Sequence, residues 1–170
     1  NKGTISGAAV SDVQVICSVQ AYQISGYIAG LSGGTVTLVN NENNDEIMNV
    51  GNGFFNFARL IPDGSAYSVS VKNQPLSPLQ FCSVLNSTGA ISGGSVGNIF
   101  GYCQIAYQIG GTVTGLAGQG LALRINGTEI KTISANGSYN FTYGLPGAAT
   151  YSVQVLNNPK GLSQTCVVSN

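Results

Sequence analysis

The chain has 170 residues, six Lys and Arg against six Asp and Glu, no His, and a formal net charge of zero. A chain of this length makes one or two small domains. Without a basic surface to hold phosphates it excludes nucleic acid as a partner, and with no apolar run near the ~18 residues of a helical span it excludes membrane insertion.

Residues 1–19 open with N-K-G-T-I-S-G-A-A-V-S-D-V-Q-V-I-C, where Val13, Val15 and Cys17 alternate as in a half-buried strand over 9–18. From 20 to 104 the expected strands are 22–29, 35–40, 46–50, 54–60, 66–72, 80–85 and 95–104. From 105 to 170 they are 107–114, 120–125, 129–134, 138–143, 149–156 and 164–168. Tyr67, Val69 and Val71 alternate with serines, and Tyr151, Val153 and Val155 with other polar residues, which places one face of each run in a core and the other in water. Gly, Asn and Pro clusters separate the runs about every 8–12 residues, the spacing of an all-β sandwich. No segment combines a helical period with caps.

The elements recur. Y-Q-I-S-G-Y-I-A-G-L-S-G (22–33) matches Y-Q-I-G-G-T-V-T-G-L-A-G (107–118), and N-G-F-F-N-F-A-R-L-I-P-D-G-S-A-Y-S-V-S-V (52–71) matches N-G-S-Y-N-F-T-Y-G-L-P-G-A-A-T-Y-S-V-Q-V (136–155). Self-similarity at this period signals a modular array of two units near 85 residues. The segment from Cys82 to Cys103 finds its second copy only across the chain ends. Reading from Cys166 to Asn170 and on from Asn1 to Cys17 gives the same 21-residue interval without a gap, Gly89 matching Gly3, Ile91 matching Ile5 and Val96 matching Val10.

The block S-A-N-G-S-Y-N-F-T-Y-G-L-P-G-A-A-T-Y-S-V-Q-V resembles the core of bacterial extracellular Ig-like modules of the carboxypeptidase-regulatory-like and collagen-adhesin B (prealbumin-like) types. Both copies are also similar to tandem-repeat modules of bacterial cell-surface proteins. The resemblance implies a β-sandwich on the outside of a cell, in a stalk, adhesin or fibre subunit. It departs from the collagen-adhesin pattern in carrying no Lys in the opening strand of either copy, so no Lys–Asn isopeptide bond is expected.

The expected architecture is therefore all-β: a donor segment at 1–19, an Ig-like sandwich at 20–104, and a second at 105–170 that lacks its last strand. An open sheet edge invites a strand from elsewhere. Residues 4–19 of a neighbouring copy already have the sequence of that strand, with Ile5, Val10, Val13, Val15 and Cys17 as its anchoring residues. An even number of cysteines at repeat spacing, without C-x-x-C or His, reads as disulfides rather than zinc and hence as an oxidising compartment. The expected pairs are Cys82–Cys103 within the chain and Cys166 with Cys17 of another subunit. Two alternatives stand beside donation: a two-repeat slice of one long tandem chain, for which the gapless join is trivial, and a chain that folds back to bond its own Cys17 to Cys166.

Little chemistry is legible. Nucleophilic catalysis wants a base such as His, and none of Asp12, Glu42, Asp45, Glu46, Asp63 or Glu129 recurs as an acidic pair, so neither an enzyme nor a cofactor is expected. The loop N-N-E-N-N-D-E (40–46) gathers hard oxygen donors of the kind that hold Ca²⁺, with a solvated hairpin turn as the simpler reading. Asn86, Asn126, Asn136 and Asn140 each begin N-x-[ST] triplets, which arise readily in an Asn- and Ser-rich chain. The expected function is that of a structural filament subunit whose partner is itself, the alternative a stalk or adhesin module whose receptor the sequence does not name.

Overall fold

The computed structural model describes residues 2–41, 45–161 and 163–169, with backbone only at 45, 46 and 48. Its described residues form strands, turns and irregular segments, without helix. In chain order the strands of the first half are β1 (Ala21–Tyr22), β2 (Ile24–Ala29), β3 (Val36–Asn40), β4 (Asp45–Val50), β5 (Gly53–Asn56), β6 (Ile61–Pro62), β7 (Ala66–Asn73), β8 (Gln80–Leu85), β9 (Thr88–Ala90) and β10 (Val96–Tyr107). The second half continues with β11 (Gly110–Val113), β12 (Leu121–Ile125), β13 (Glu129–Ile133), β14 (Gly137–Asn140), β15 (Leu145–Pro146) and β16 (Val153–Asn157).

Alternation along the strands builds the sandwich-like arrangement. In β2 the inward positions are Ile24, Gly26 and Ile28, and in β7 they are Tyr67 and Val69 with serines outside. One sheet runs β5-β2-β10 with β8 on the other flank of β10, and the other runs β4-β3-β7-β9. Their facing sides enclose one hydrophobic cluster, to which Ile24, Ile28, Phe55, Ile99 and Cys103 come from the first sheet and Val36, Leu38, Tyr67 and Val69 from the second. A second cluster holds Leu121, Leu123, Ile125, Ile133 and Phe141, between the β13-β12-β16 sheet and the β11-β14 pair.

β10 is the hinge of the topology. It lies between β2, to which it is parallel (Ile99 opposite Gly26, Gly101 opposite Ile28), and β8, to which it is antiparallel (Cys103 opposite Cys82). Its last two residues leave the first sheet and pair with β15, Ala106 opposite Pro146 and Tyr107 opposite Leu145. One continuous strand therefore belongs to both halves.

The two halves make the same side-chain hydrogen bonds at matched positions. Asn52 clamps Leu31, accepting from its N–H and donating to its carbonyl, as Asn136 does with Leu116. Gln80 accepts from Ser32 N–H and donates to the Gly30 carbonyl, while Gln164 accepts from Ala117 N–H and donates to the Gly115 carbonyl. Gln23 and Gln108 donate to the carbonyls of Phe57 and Phe141. Gln74 accepts from Cys82 N–H, and Asn158 from Cys166 N–H. Each bond satisfies a backbone group that a loop would otherwise leave open.

Most strand expectations agree with the structure to within a few residues, and four differ for a physical reason. The expected 54–60 strand stops at Asn56, where pairing with β2 ends at Ser25 opposite Asn56. The expected 149–156 strand begins only at Val153, and the expected 164–168 strand is not formed. In the first half the matching stretches are held by partners: residues 66–68 pair with β9, and β8 pairs with β10. No described residue supplies either partner in the second half. Likewise 9–18 forms no strand and lies exposed. β9 itself had no counterpart among the expected strands.

Candidate assembly groove

Between β11 and residues 164–169 a groove of about 460 Å³ opens over the second cluster, lined among others by Val113, Leu123, Tyr139, Val153, Cys166 and Val168. Its floor is the inward face of β12 and β16. One wall is β11, whose free edge corresponds to the edge of β2 that β10 occupies. The other wall is the segment begun by Gln164. That side chain anchors it to the 115–118 loop as Gln80 anchors β8 to the 30–32 loop, so Cys166 stands in the second half where Cys82 stands in the first.

The effect of the open slot shows in matched residues. Tyr67 is 8% exposed and Tyr151, its counterpart, 49%. Over Tyr67 lies β9, where Gly89 is opposite Tyr67 and a Cβ on Gly89 would come within 2.7 Å of the Tyr67 hydroxyl. Nothing covers Tyr151 in this way among the described residues. Ile24, Ile28, Phe55 and Val69 are buried, whereas their counterparts Ile109, Val113, Tyr139 and Val153 are only partly so. Burial raises the pKa of Tyr139, the ring of which packs edge-on against Phe141.

The cysteines separate into two kinds. Cys82 and Cys103 are joined within the chain, both sulfurs buried at the seam of β8 and β10. Cys17 and Cys166 are free thiols, Cys17 exposed and Cys166 half-buried. The structure thus does not take the self-closing arrangement in which these two bond within one chain. Residues 2–20 lie outside the groove and carry a run of exposed apolar side chains: Ile5 at 71%, Val10 at 52%, Val13 at 72% and Val15 at 84%.

Set against β10, the exposed segment repeats the residue types of its inward positions. The inward positions of β10 and its approach are Ile91, Val96, Ile99, Gly101 and Cys103. The 21-residue match puts Ile5, Val10, Val13, Val15 and Cys17 at the same places. At one position of this match the residue sizes differ in a complementary way. Gly101 lies so close to Ile28 that a Cβ there would collide with Ile28 Cδ1. In the second half the residue at the place of Ile28 is the smaller Val113, and the segment offers the larger Val15 to it. In the sequence match Gly3 corresponds to Gly89, as Tyr151 corresponds to Tyr67.

Among the described residues no group of three or more His, Cys, Asp or Glu could hold a metal ion. The suggested Ca²⁺ loop falls outside what can be compared: Glu42 lies outside the described residues, and of Asp45 and Glu46 only the backbone is described. No helix among the described residues is long and apolar enough to cross a membrane. No protein-family profile matches the chain, and no curated protein matches it.

Proposed function

We propose that the protein is the structural subunit of an extracellular filament, two Ig-like units long, polymerising head to tail by strand donation. Residues 2–17 of one copy enter the groove of the next, parallel to β11 and antiparallel to 164–169, as β10 lies between β2 and β8. The observation that carries this reading is the pairing of an unfilled strand slot, walled by the free thiol of Cys166, with an exposed segment whose inward residues, ending in the free thiol of Cys17, repeat those of β10.

Strand addition satisfies two rows of backbone groups at once and covers the second cluster. Because donor and acceptor lie at different places on the molecule, the contact is heterologous and does not close on itself, so it propagates. A Cys17–Cys166 bond then locks each step. Two thiols become one disulfide by exchange with an oxidised protein disulfide, which takes up the two electrons and two protons and leaves as its dithiol. An intrachain disulfide and the need for this second one fit an oxidising compartment outside the cytosol.

The test is the mass of native material boiled in denaturant with and without reductant. A ladder that collapses to 17.4 kDa only with reductant supports separate subunits joined through Cys17 and Cys166. Bands at 17.4 kDa in both lanes speak against the intersubunit bond. High mass that survives reductant favours the second reading, a stalk or adhesin module within a longer tandem-repeat surface protein. The gapless 21-residue interval is the observation on that side, since separate donors need not abut without a gap.

A further inference from the structure

Resting on strand donation, we infer that subunits also meet end to end through a second contact, Leu60 of one copy seated against Ser163 of the next. This contact reproduces between chains the junction that Gly144 and Leu79 make within one.

The seam within the chain is visible in full. Ala106 and Tyr107, at the end of β10, pair antiparallel with Pro146 and Leu145 of β15. Leu79, from the turn before β8, closes over the seam. A Cβ added to Gly144 would lie 2.8 Å from Leu79 Cδ2 and 2.9 Å from the Ala106 methyl. Leu79 is a knob of the first half, and Gly144 is its hole in the second.

The same seam is already half built at the other end of the molecule. Ala21 and Tyr22 of β1 pair antiparallel with Pro62 and Ile61 of β6, the identical register of an Ala-Tyr step on a Pro-terminated strand. β1 directly follows residues 2–17, as the end of β10 follows its inward run. At this second seam the residue in the place of Gly144 is Leu60, which is 52% exposed. The residue in the place of Leu79, before Gln164, is Ser163, which is exposed. The knob has changed sides: Leu over Gly within the chain, Ser over Leu between chains. Size is kept across the pair, so one close contact serves both junctions. The linking strand has one residue more from Cys17 to Tyr22 than from Cys103 to Tyr107. That extra length suits a seam in which the larger side chain stands just before β6.

The occupant of the Leu60 surface is thus a second copy of this chain, presenting Ser163 and the groove that Gln164 begins to line. Both contacts together make every junction along the filament alike, whether or not the backbone is continuous through it.

The experiment places cysteines at the seam, Leu60→Cys with Ser163→Cys, in a chain carrying Cys17→Ser and Cys166→Ser. This variant and the native chain are assembled with oxidised glutathione and run without reductant. A reductant-sensitive ladder from the variant supports the seam. A ladder from the native chain and none from the variant overturns the seam and leaves donation standing. No ladder from either overturns donation and the seam with it. A second variant guards against failed assembly of the first. Leu60→Asp with native cysteines retains the ladder but gives filaments severalfold more flexible in electron micrographs, and unchanged stiffness counts against the seam.

Discussion

In the proposed filament the two free thiols and the apolar residues upstream of one of them make distinct contributions to assembly. Replacing Cys17 by Ser removes only the lock: filaments form, but denaturant without reductant releases monomers, read directly from a gel. Replacing Val15 by Asp sets a carboxylate against Val113 and the second cluster, where an unpaired charge is strongly disfavoured. Filaments are then absent in sedimentation, while the first half, which does not use Val15, unfolds as in the native chain. Inside the first half, Gln80 is 1% exposed and serves two backbone groups. Gln80→Leu leaves Ser32 N–H and the Gly30 carbonyl without partners and lowers stability by about 1–3 kcal/mol in urea titration. These roles were unevenly legible. The alternation of Val13, Val15 and Cys17 and the repeat around Cys82 were written in the residues. The bracing by Gln80 and Gln164 was not, because a Gln in a polar run carries no mark of burial until the 30–32 and 115–118 loops fold over it.

At the scale of elements, what local pattern failed to give was what a partner strand decides. β8 was legible to the residue because its apolar alternation and its neighbour β10 agree. β9 was not, since T-G-A has the look of a turn and becomes a strand only by lying on Tyr67. The expected strands at 149–156 and 164–168 have the right pattern and lack the partner, and the structure gives them up accordingly. This dependence is testable. Amide exchange at 150–152 and 164–169 is fast in the free subunit and slows in the filament to the level of 66–68 and 80–85. A chain lacking residues 1–17 does not polymerise, and a synthetic peptide of residues 2–17 raises its melting temperature. A peptide without effect, at concentrations where the intact chain assembles, leaves the groove without its proposed occupant.

At the scale of the whole molecule, the first half is closed and stapled and the second is open. The Cys82–Cys103 bond encloses a loop of 21 positions, worth roughly 3 kcal/mol by loop entropy. The second half gains the equivalent only on assembly. Subunits are therefore expected to melt in two steps, the second half first, and filaments at a single higher temperature, as differential scanning calorimetry would report. The low charge that leaves the chain ready to associate was plain from composition, whereas the direction of association rests on which half is unfinished.

β10, shared by the two halves, also settles how the molecule bears tension. A pull applied along β10 would be carried by a strand of 12 residues held on one side by β2 and on the other by β8. Its hydrogen bonds lie across the line of force, so they are loaded together in shear instead of opening one at a time. The buried disulfide fastens β10 to β8 at Cys103 and shields residues 83–102 from extension. In single-molecule pulling, reduction should lengthen the unfolding step of the first half by about 70 Å, the reach of 21 extended residues. A thread made of such pieces would yield under load by releasing short, capped lengths of chain, and would owe its toughness to the same strand that joins its links.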